Sequence, residues 1–440
     1  MSIVPAEVEG RFLILGAGPA GHTAAMVAAE LGAPVTIIEP SVLGGEAHLL
    51  DCIPSKTMVA TSRRADSIRN AAKLGIVAEP GRVDLGDLAT RIETIVSDLG
   101  EDVSEVLRRQ GVQIIEGRGR LTSSHMASAL TSDGEVEISF ESGLIATGSS
   151  PRVPLWAEVD GERVMTTRHA YSLPALPEHL VIVGSGVTGV EFVHIFSSLG
   201  CGVTLIVSRQ QVLPHYDPEV AAVLETEFLQ RGVNLVKGAR ATGIIREGEG
   251  VVVHIGDGRR IAGSHVLLAV GSIPLTADLG LEEAGVATEG GYVTVDRYQR
   301  TSQPNIYAAG DVTGQMPLSS VAAMQGRKIA QHVMGRSVEP LDYSRVAQAI
   351  FTDPEIASVG LEEAAAAAEG RKVRSTKVPF ASNSRSVIEG RPEGFVKVIS
   401  DPATHTVLGG TIVGYRASEL IGILALAVQA RLRTDALSTP

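Results

Sequence analysis

Cysteine is scarce in this sequence, with two in 440 residues, Cys52 and Cys201. A disulfide framework is therefore excluded, and such sparse thiol use points to a reducing, cytoplasmic setting. Long apolar runs are missing too. The longest, "LIGILALAVQA", falls far short of the roughly 20 residues that span a bilayer, so no stable membrane insertion is expected and the run reads as a buried helix. Positive charge is not in excess: 38 Lys and Arg stand against 50 Asp and Glu, a net charge of -12. That balance argues against nucleic acid or an anionic membrane as the main partner. The opening "MSIVPAEVEGRFLILG" lacks a basic start and runs straight into glycines, so no secretory signal is expected. No metal site is expected either.

With 44% apolar and 20% charged residues, the chain reads as globular, and its length suggests about three domains. One unit occurs twice. In "RFLILGAGPAGHTAAMVAAELGAPVTIIEP" an apolar strand leads into Gly16, Gly18 and Gly21, then an alanine-rich helix and a second strand that ends in Glu39. The first glycine permits a tight turn, the second lets a pyrophosphate approach backbone, and the third lets helix pack on strand. An acid about 20 residues on is placed to bond a ribose hydroxyl. The second copy, "HLVIVGSGVTGVEFVHIFSSLGCGVTLIVSR", carries Gly184, Gly186 and Gly189. Its second strand closes on Ser208 and Arg209 instead of an acid. A guanidinium there can grip a 2′-phosphate, which points to NADPH with NADH tolerated, or it is simply a surface arginine at a strand end.

Other segments suit a protein that binds two nucleotides. "GLIATGSSPRVP" and "VLLAVGSIPLT" are buried strands ending in glycine turns, and "TSQPNIYAAGDVTG" puts Asp311 beside Gly310 at the tip of an apolar strand. Between the two units lies "GGEAHLLDCIPSK", residues 44–56, with a cysteine ahead of Ile-Pro-Ser-Lys and an alanine, Ala47, where a partner thiol would stand.

This order of motifs, closed by "FTDPEIASVG", resembles the flavoprotein disulfide reductases, which include dihydrolipoamide dehydrogenase, glutathione reductase and mercuric reductase. The resemblance covers nearly the whole chain. It implies an α/β fold with two Rossmann-like dinucleotide-binding domains, for FAD and NAD(P), and a C-terminal α+β dimerisation domain. The expected limits are 1–150 for the first FAD segment, 151–275 for the NAD(P) domain, 276–338 for the central segment and 339–440 for a domain that pairs two subunits.

The family motif G-G-T-C-L-N-V-G-C-I-P-S-K is matched by Gly44, Gly45, Cys52, Ile53, Pro54, Ser55 and Lys56, while Ala47 replaces the thiol that exchanges with a disulfide substrate. Thiol exchange needs a second thiol to resolve the mixed disulfide. Asp51, in place of a glycine, also opposes a thiolate at Cys52. In the family a C-terminal H-x-H-P-T-x-S-E run carries a His-Glu pair that serves the thiols as acid and base, and by resemblance it would come after "RLRTDALSTP".

By resemblance Lys56 and Glu191 form an ion pair beside flavin N5, which is expected to be buried. The same resemblance implies that Gly16, Gly18, Gly21, Glu39, Gly45, Lys56, Gly119, Thr147, Gly148, Gly310, Asp311 and Ser319 hold FAD. Gly184, Gly186, Gly189, Glu191, Ser208, Arg209 and Gly271 would serve the nicotinamide nucleotide. Cys52 either tunes the flavin by contact or fills space. Val187 stands where relatives carry a tyrosine lid, and a smaller residue leaves the flavin easier to reach, although packing alone can also explain it. The features resemble a disulfide-less branch of NAD(P)H quinone reductases, whose electrons leave from the flavin to a small-molecule quinone. A transhydrogenase or diaphorase, and a silent flavoprotein scaffold, are the alternatives.

Overall fold

The computed structural model describes residues 8–79 and 81–438. The first residues of the stretch read as lacking a leader, 1–7, lie outside them. The chain forms two compact units, each built from three separate stretches of sequence.

The first unit comprises residues up to Pro54, Thr90–Ser150 and Ser272–Leu341. Its sheet runs Gln113–Glu116, Val35–Glu39, Val8–Leu15, Gly134–Ile145, Met126–Thr131, Arg118–Leu121, with Ile306–Ala308 added against Gly134–Ile145. The strands from Gln113 through Gly134, and Ile306–Ala308, pair in parallel. Parallel strands are covered on both faces and so need unbroken apolar runs. "FLIL" supplies one: Phe12, Leu13, Ile14 and Leu15 are all buried. On one face Phe12 and Ile14 meet the alanines of helix Pro19–Glu30 and Ile329 of helix Ser319–Val333. On the other, Leu13 and Leu15 meet Phe140, Ile306 and Val312.

The second unit comprises Ser55–Ala89, Pro151–Gly271 and the chain from Asp342 onwards. It holds a parallel five-stranded sheet ordered Asn234–Lys237, Gly202–Val207, His179–Val183, His265–Leu268, Val164–Thr166. It also holds an antiparallel five-stranded sheet ordered Gln348–Ile350, Glu355–Gly360, Val407–Gly414, Phe395–Ser400, Arg374–Pro379. Helix Ala417–Gln429, which contains all but the last residue of the "LIGILALAVQA" run, packs Ile421, Leu424 and Val428 on that sheet. The expectation of a buried helix needs correcting, because Leu420, Ile423 and Leu426 are 38%, 60% and 64% exposed. A helix laid on one face of a sheet covers only one of its stripes, and here the outward stripe is apolar as well.

Lys397 lies inside this second unit with its side chain 2% exposed. Its ammonium meets Asp217 and Glu219, and Glu363 at 3.3 Å. Three carboxylates gathered this closely need a cation, and the chain provides its own. Burial works against the ammonium, but Asp217 and Glu219 outweigh it and raise its pKa. Lys397→Met should lower stability by about 3 kcal/mol, since removing one member strands the others. Urea unfolding checks this, and unchanged stability would mean that solvent already neutralises the acids.

Candidate functional site

The two glycine loops repeat one geometry. Gly16 has φ +99, and a Cβ on it would lie 2.4 Å from the Ala146 carbonyl oxygen. Gly184 has φ +114, and its Cβ would lie 2.2 Å from that of Ala269. Ala146 and Ala269 belong to the "IATG" and "LAVG" segments, whose main chain bonds back to the strand that leads into each glycine loop, Ala146 to Leu15 and Ala269 to Val183, both at 2.8 Å. Neither turn therefore has room for a side chain. Gly186 differs: its φ of -74 suits any residue, and nothing lies within 4 Å of where its Cβ would be. Open space before a backbone turn is what an approaching pyrophosphate requires. Helices Pro19–Glu30 and Val187–Leu199 start from Gly18 and Gly186 with no side-chain cap and no acid in the first turn. Their leading N–H groups suit an anion.

"GGEA" is stitched to the first loop. Gly44 N–H donates to the Ala17 carbonyl at 3.1 Å, and a Cβ on Gly45 would lie 2.4 Å from the Gly18 Cα. Glu39 ends its strand buried, Oε2 taking the Ala17 N–H at 2.7 Å and Oε1 that of Ser41 at 3.0 Å. Burial raises its pKa, with those two hydrogen bonds working the other way. Each oxygen keeps a lone pair for a hydroxyl. Ser149 donates to Asp311 Oδ2 at 2.7 Å, Gly310 N–H to Gln325 at 2.7 Å, and Thr147 Oγ1 to the Leu275 carbonyl at 2.7 Å. Gly148 sits in the turn after this strand, and Ser319 opens helix Ser319–Val333 exposed. At Gly119 the space a side chain would take is filled by Leu15 and Ile38.

Ala47 and Cys52 are the ends of one wide helical turn, Ala47–Cys52, in which Ile53 N–H reaches back five residues to the His48 carbonyl. Such π-turns recur at functional sites. This one carries a single sulfur, on the half-buried Cys52, with Ala47 at its other end. Cys201 is a buried thiol whose pKa burial pushes up to about 11. Burial also lowers the pKa of His22 and His48, which keeps both neutral.

In the second unit Lys56 Nζ meets Glu191 Oε2 at 2.7 Å, although the two residues stand 135 apart in sequence. Glu191 is 5% exposed but Lys56 is 38% exposed, so the expected buried pair is half right: only the carboxylate is enclosed. The Phe351 N–H donates to Glu191 Oε1 at 2.9 Å.

One turn beyond Glu191, His194 is wholly buried, and burial followed by the charge of Arg231 pushes its pKa down to about 3. Arg231 bonds Asp66 at 3.1 Å, Ser198 at 3.0 Å and the Asp353 carbonyl at 2.9 Å. Sequence reasoning missed this group. Asp353 lies inside "FTDPEIASVG", but no motif marks Asp66, His194 or Arg231.

Ser208 and Arg209 follow strand Gly202–Val207, both exposed, and the Arg209 side chain has no partner among the described residues. Gly189 packs against the Gly184 carbonyl, and Gly271 follows strand His265–Leu268 with open space around it. Val187 begins its helix 39% exposed.

Two dinucleotide loops and an ion-paired lysine define the class: an oxidoreductase that works with nucleotide cofactors. Residues 10–326 match the pyridine nucleotide-disulphide oxidoreductase family and residues 346–439 its dimerisation domain. The chain is 43% identical to the NAD(P)H dehydrogenase (quinone) of Mycobacterium tuberculosis over 97% of its own length and 90% of that protein. It is 32% identical to the dihydrolipoyl dehydrogenase of Geobacillus stearothermophilus, covering 97% and 92%. The crystal structure of LpdA from Mycobacterium tuberculosis superposes with a TM-score of 0.92 at 43% identity, covering 97% of this chain and 95% of that one. The chain belongs to the pyridine nucleotide-disulphide oxidoreductase family. Members of this family use FAD and NAD(P)H. No helix among the described residues is long and apolar enough to cross a membrane.

Burial acts to raise the Asp353 pKa, but Arg391 and Arg231 overcome it and hold the carboxyl below its ordinary 3.8. Its stabilising contribution is therefore present above 3.8 and is lost as pH falls through the lower folded value. Asp353→Asn should cost about 3 kcal/mol at neutral pH, because two guanidinium groups lose their carboxylate. In urea unfolding the gap from wild type should narrow towards pH 3, and an undiminished gap there would remove Asp353 from this role.

Proposed function

We propose that the chain is an FAD-dependent NAD(P)H:quinone oxidoreductase that passes electrons from the flavin directly to its acceptor, without a redox-active disulfide. One observation carries the reading: the π-turn beside the motif supplies a single thiol, while the Lys56–Glu191 pair is intact at 2.7 Å. A silent scaffold has no need of such a pair. The quinone in the name of the 43%-identical Mycobacterium tuberculosis relative supports a flat, conjugated acceptor.

FAD, when bound, accepts a hydride at N5 and delivers its electrons to a quinone. The rest is work for the chain's own residues. Residues 1–150 and 276–338 form the FAD-binding part, where Gly16, Gly18, Gly21, Gly45 and Gly119 keep backbone close and Glu39 takes a ribose hydroxyl. Thr147, Gly148, Gly310, Asp311 and Ser319 complete that part. Residues 151–275 bind the nicotinamide nucleotide, with Gly184, Gly186, Gly189 and Gly271 lining its turn and Ser208 and Arg209 at the ribose. The Lys56 ammonium supports negative charge developing at the flavin, and Glu191 anchors it. Cys52 contributes contact and takes no part in exchange. Residues 339–440 pair two subunits, and the exposed apolar stripe of helix Ala417–Gln429 suits burial in a homodimer. The scarcity of thiols supports a cytoplasmic enzyme.

The decisive experiment is anaerobic: bleach the flavin with NADPH, then offer menadione or oxidised lipoamide. Rapid reoxidation by menadione alone is expected, and reoxidation by lipoamide would overturn the disulfide-free route. An exposed, unpartnered Arg209 points to NADPH. Arg209→Ala should raise KM for NADPH on the order of tenfold while leaving NADH little changed, the cost of one charged hydrogen-bond donor. Equal effects on both nucleotides would take Arg209 off the 2′-phosphate.

A further inference from the structure

Phe351 touches both members of the Lys56–Glu191 pair. Its N–H donates to Glu191 Oε1 at 2.9 Å, and the Lys56 ammonium lies 5.2 Å from the centre of its ring. Glu191 Oε2 takes the ammonium itself at 2.7 Å. The carboxylate is thus fixed by a different donor on each oxygen. The ammonium ends a flexible four-carbon stem, and one contact to oxygen sets its distance but not its direction. A ring face within about 6 Å attracts the same cation from a second side.

The ring can act this way only if it is itself held, and the residues after it are pinned from several directions. Thr352 is wholly buried, its hydroxyl donates to the Pro354 carbonyl at 2.7 Å, and its own carbonyl accepts from Arg63 at 3.3 Å. Arg63 also grips Glu355 at 2.6 Å. Glu355 in turn accepts the Ser418 N–H at 2.8 Å, and Arg231 holds the Asp353 carbonyl at 2.9 Å. Arg63 shares helix Ile53–Arg69 with Lys56, so the lysine and the ring that flanks it hang on one framework.

We propose that Phe351 is a positioning residue for flavin reduction, aiming the Lys56 ammonium through its ring while its backbone N–H fixes Glu191. This rests on the role proposed above for the Lys56–Glu191 pair.

The test uses the FAD-loaded enzyme and five variants: Phe351→Leu, Phe351→Met as a guard against a folding defect, Phe351→Tyr, and Lys56→Met alone and combined with Phe351→Leu. Two quantities are read, the rate of anaerobic flavin reduction by NADPH per bound flavin and the midpoint potential of the flavin. Losing the ring face should slow reduction about threefold and make the potential more negative, with KM for NADPH unchanged. Phe351→Tyr should restore both, and the double variant should be no slower than Lys56→Met. A lower melting temperature with unchanged rate and potential would reduce Phe351 to packing and overturn the proposal. Additive slowing in the double variant would overturn it as well, since Phe351 would then act independently of Lys56. Wild-type speed in Lys56→Met would instead bring down the role of the pair itself.

Discussion

A carboxylate that is 5% exposed cannot stay charged without partners, and the arrangement around Glu191 follows from that requirement. One oxygen takes Lys56 from helix Ile53–Arg69 and the other takes the main chain at Phe351, where strand Gln348–Ile350 ends. Three stretches far apart in sequence are thereby tied to one side chain. The Asp66, Arg231 and Asp353 group repeats the logic one helical turn away, with His194 kept uncharged so that it adds no further cation. Lys397 and its acids do the same in the C-terminal sheet. In each case a buried charge is matched by opposite charge brought from another part of the chain.

The dinucleotide loops obey a different constraint, that of space. Gly16 and Gly184 face a carbonyl oxygen closer than any Cβ could tolerate, and Gly21 and Gly189 lie equally close to the carbonyls of those first glycines. The turns are closed by the strands of "IATG" and "LAVG", which explains why these short segments recur in the same order after each loop. Polar atoms facing the open space are left to serve a ligand, while the apolar sheet behind them holds the turn rigid.

The turn at the cysteine carries one thiol, on Cys52. The Ala47–Cys52 turn is a wide one, and the neighbouring "GGEA" segment is bonded to the first glycine loop. On the disulfide-free route proposed above, Ala47 bears on how electrons leave and not on the residues that would hold the flavin.

Much of this was legible in the sequence because it is local. Glycine spacing, apolar strands and the acid at Glu39 act within about 30 residues, and each motif carries its own turn or strand. The same holds for the missing sulfur at Ala47, which is a matter of composition at one position. Tertiary structure alone decided the rest. That Lys56 is half open while Glu191 is enclosed, and that Phe351 touches both, depends on how separate helices and strands pack. The buried group around Arg231 joins residues with no shared motif. The outward apolar stripe of helix Ala417–Gln429 looked like core because hydrophobicity records that a side chain avoids water, not which surface covers it.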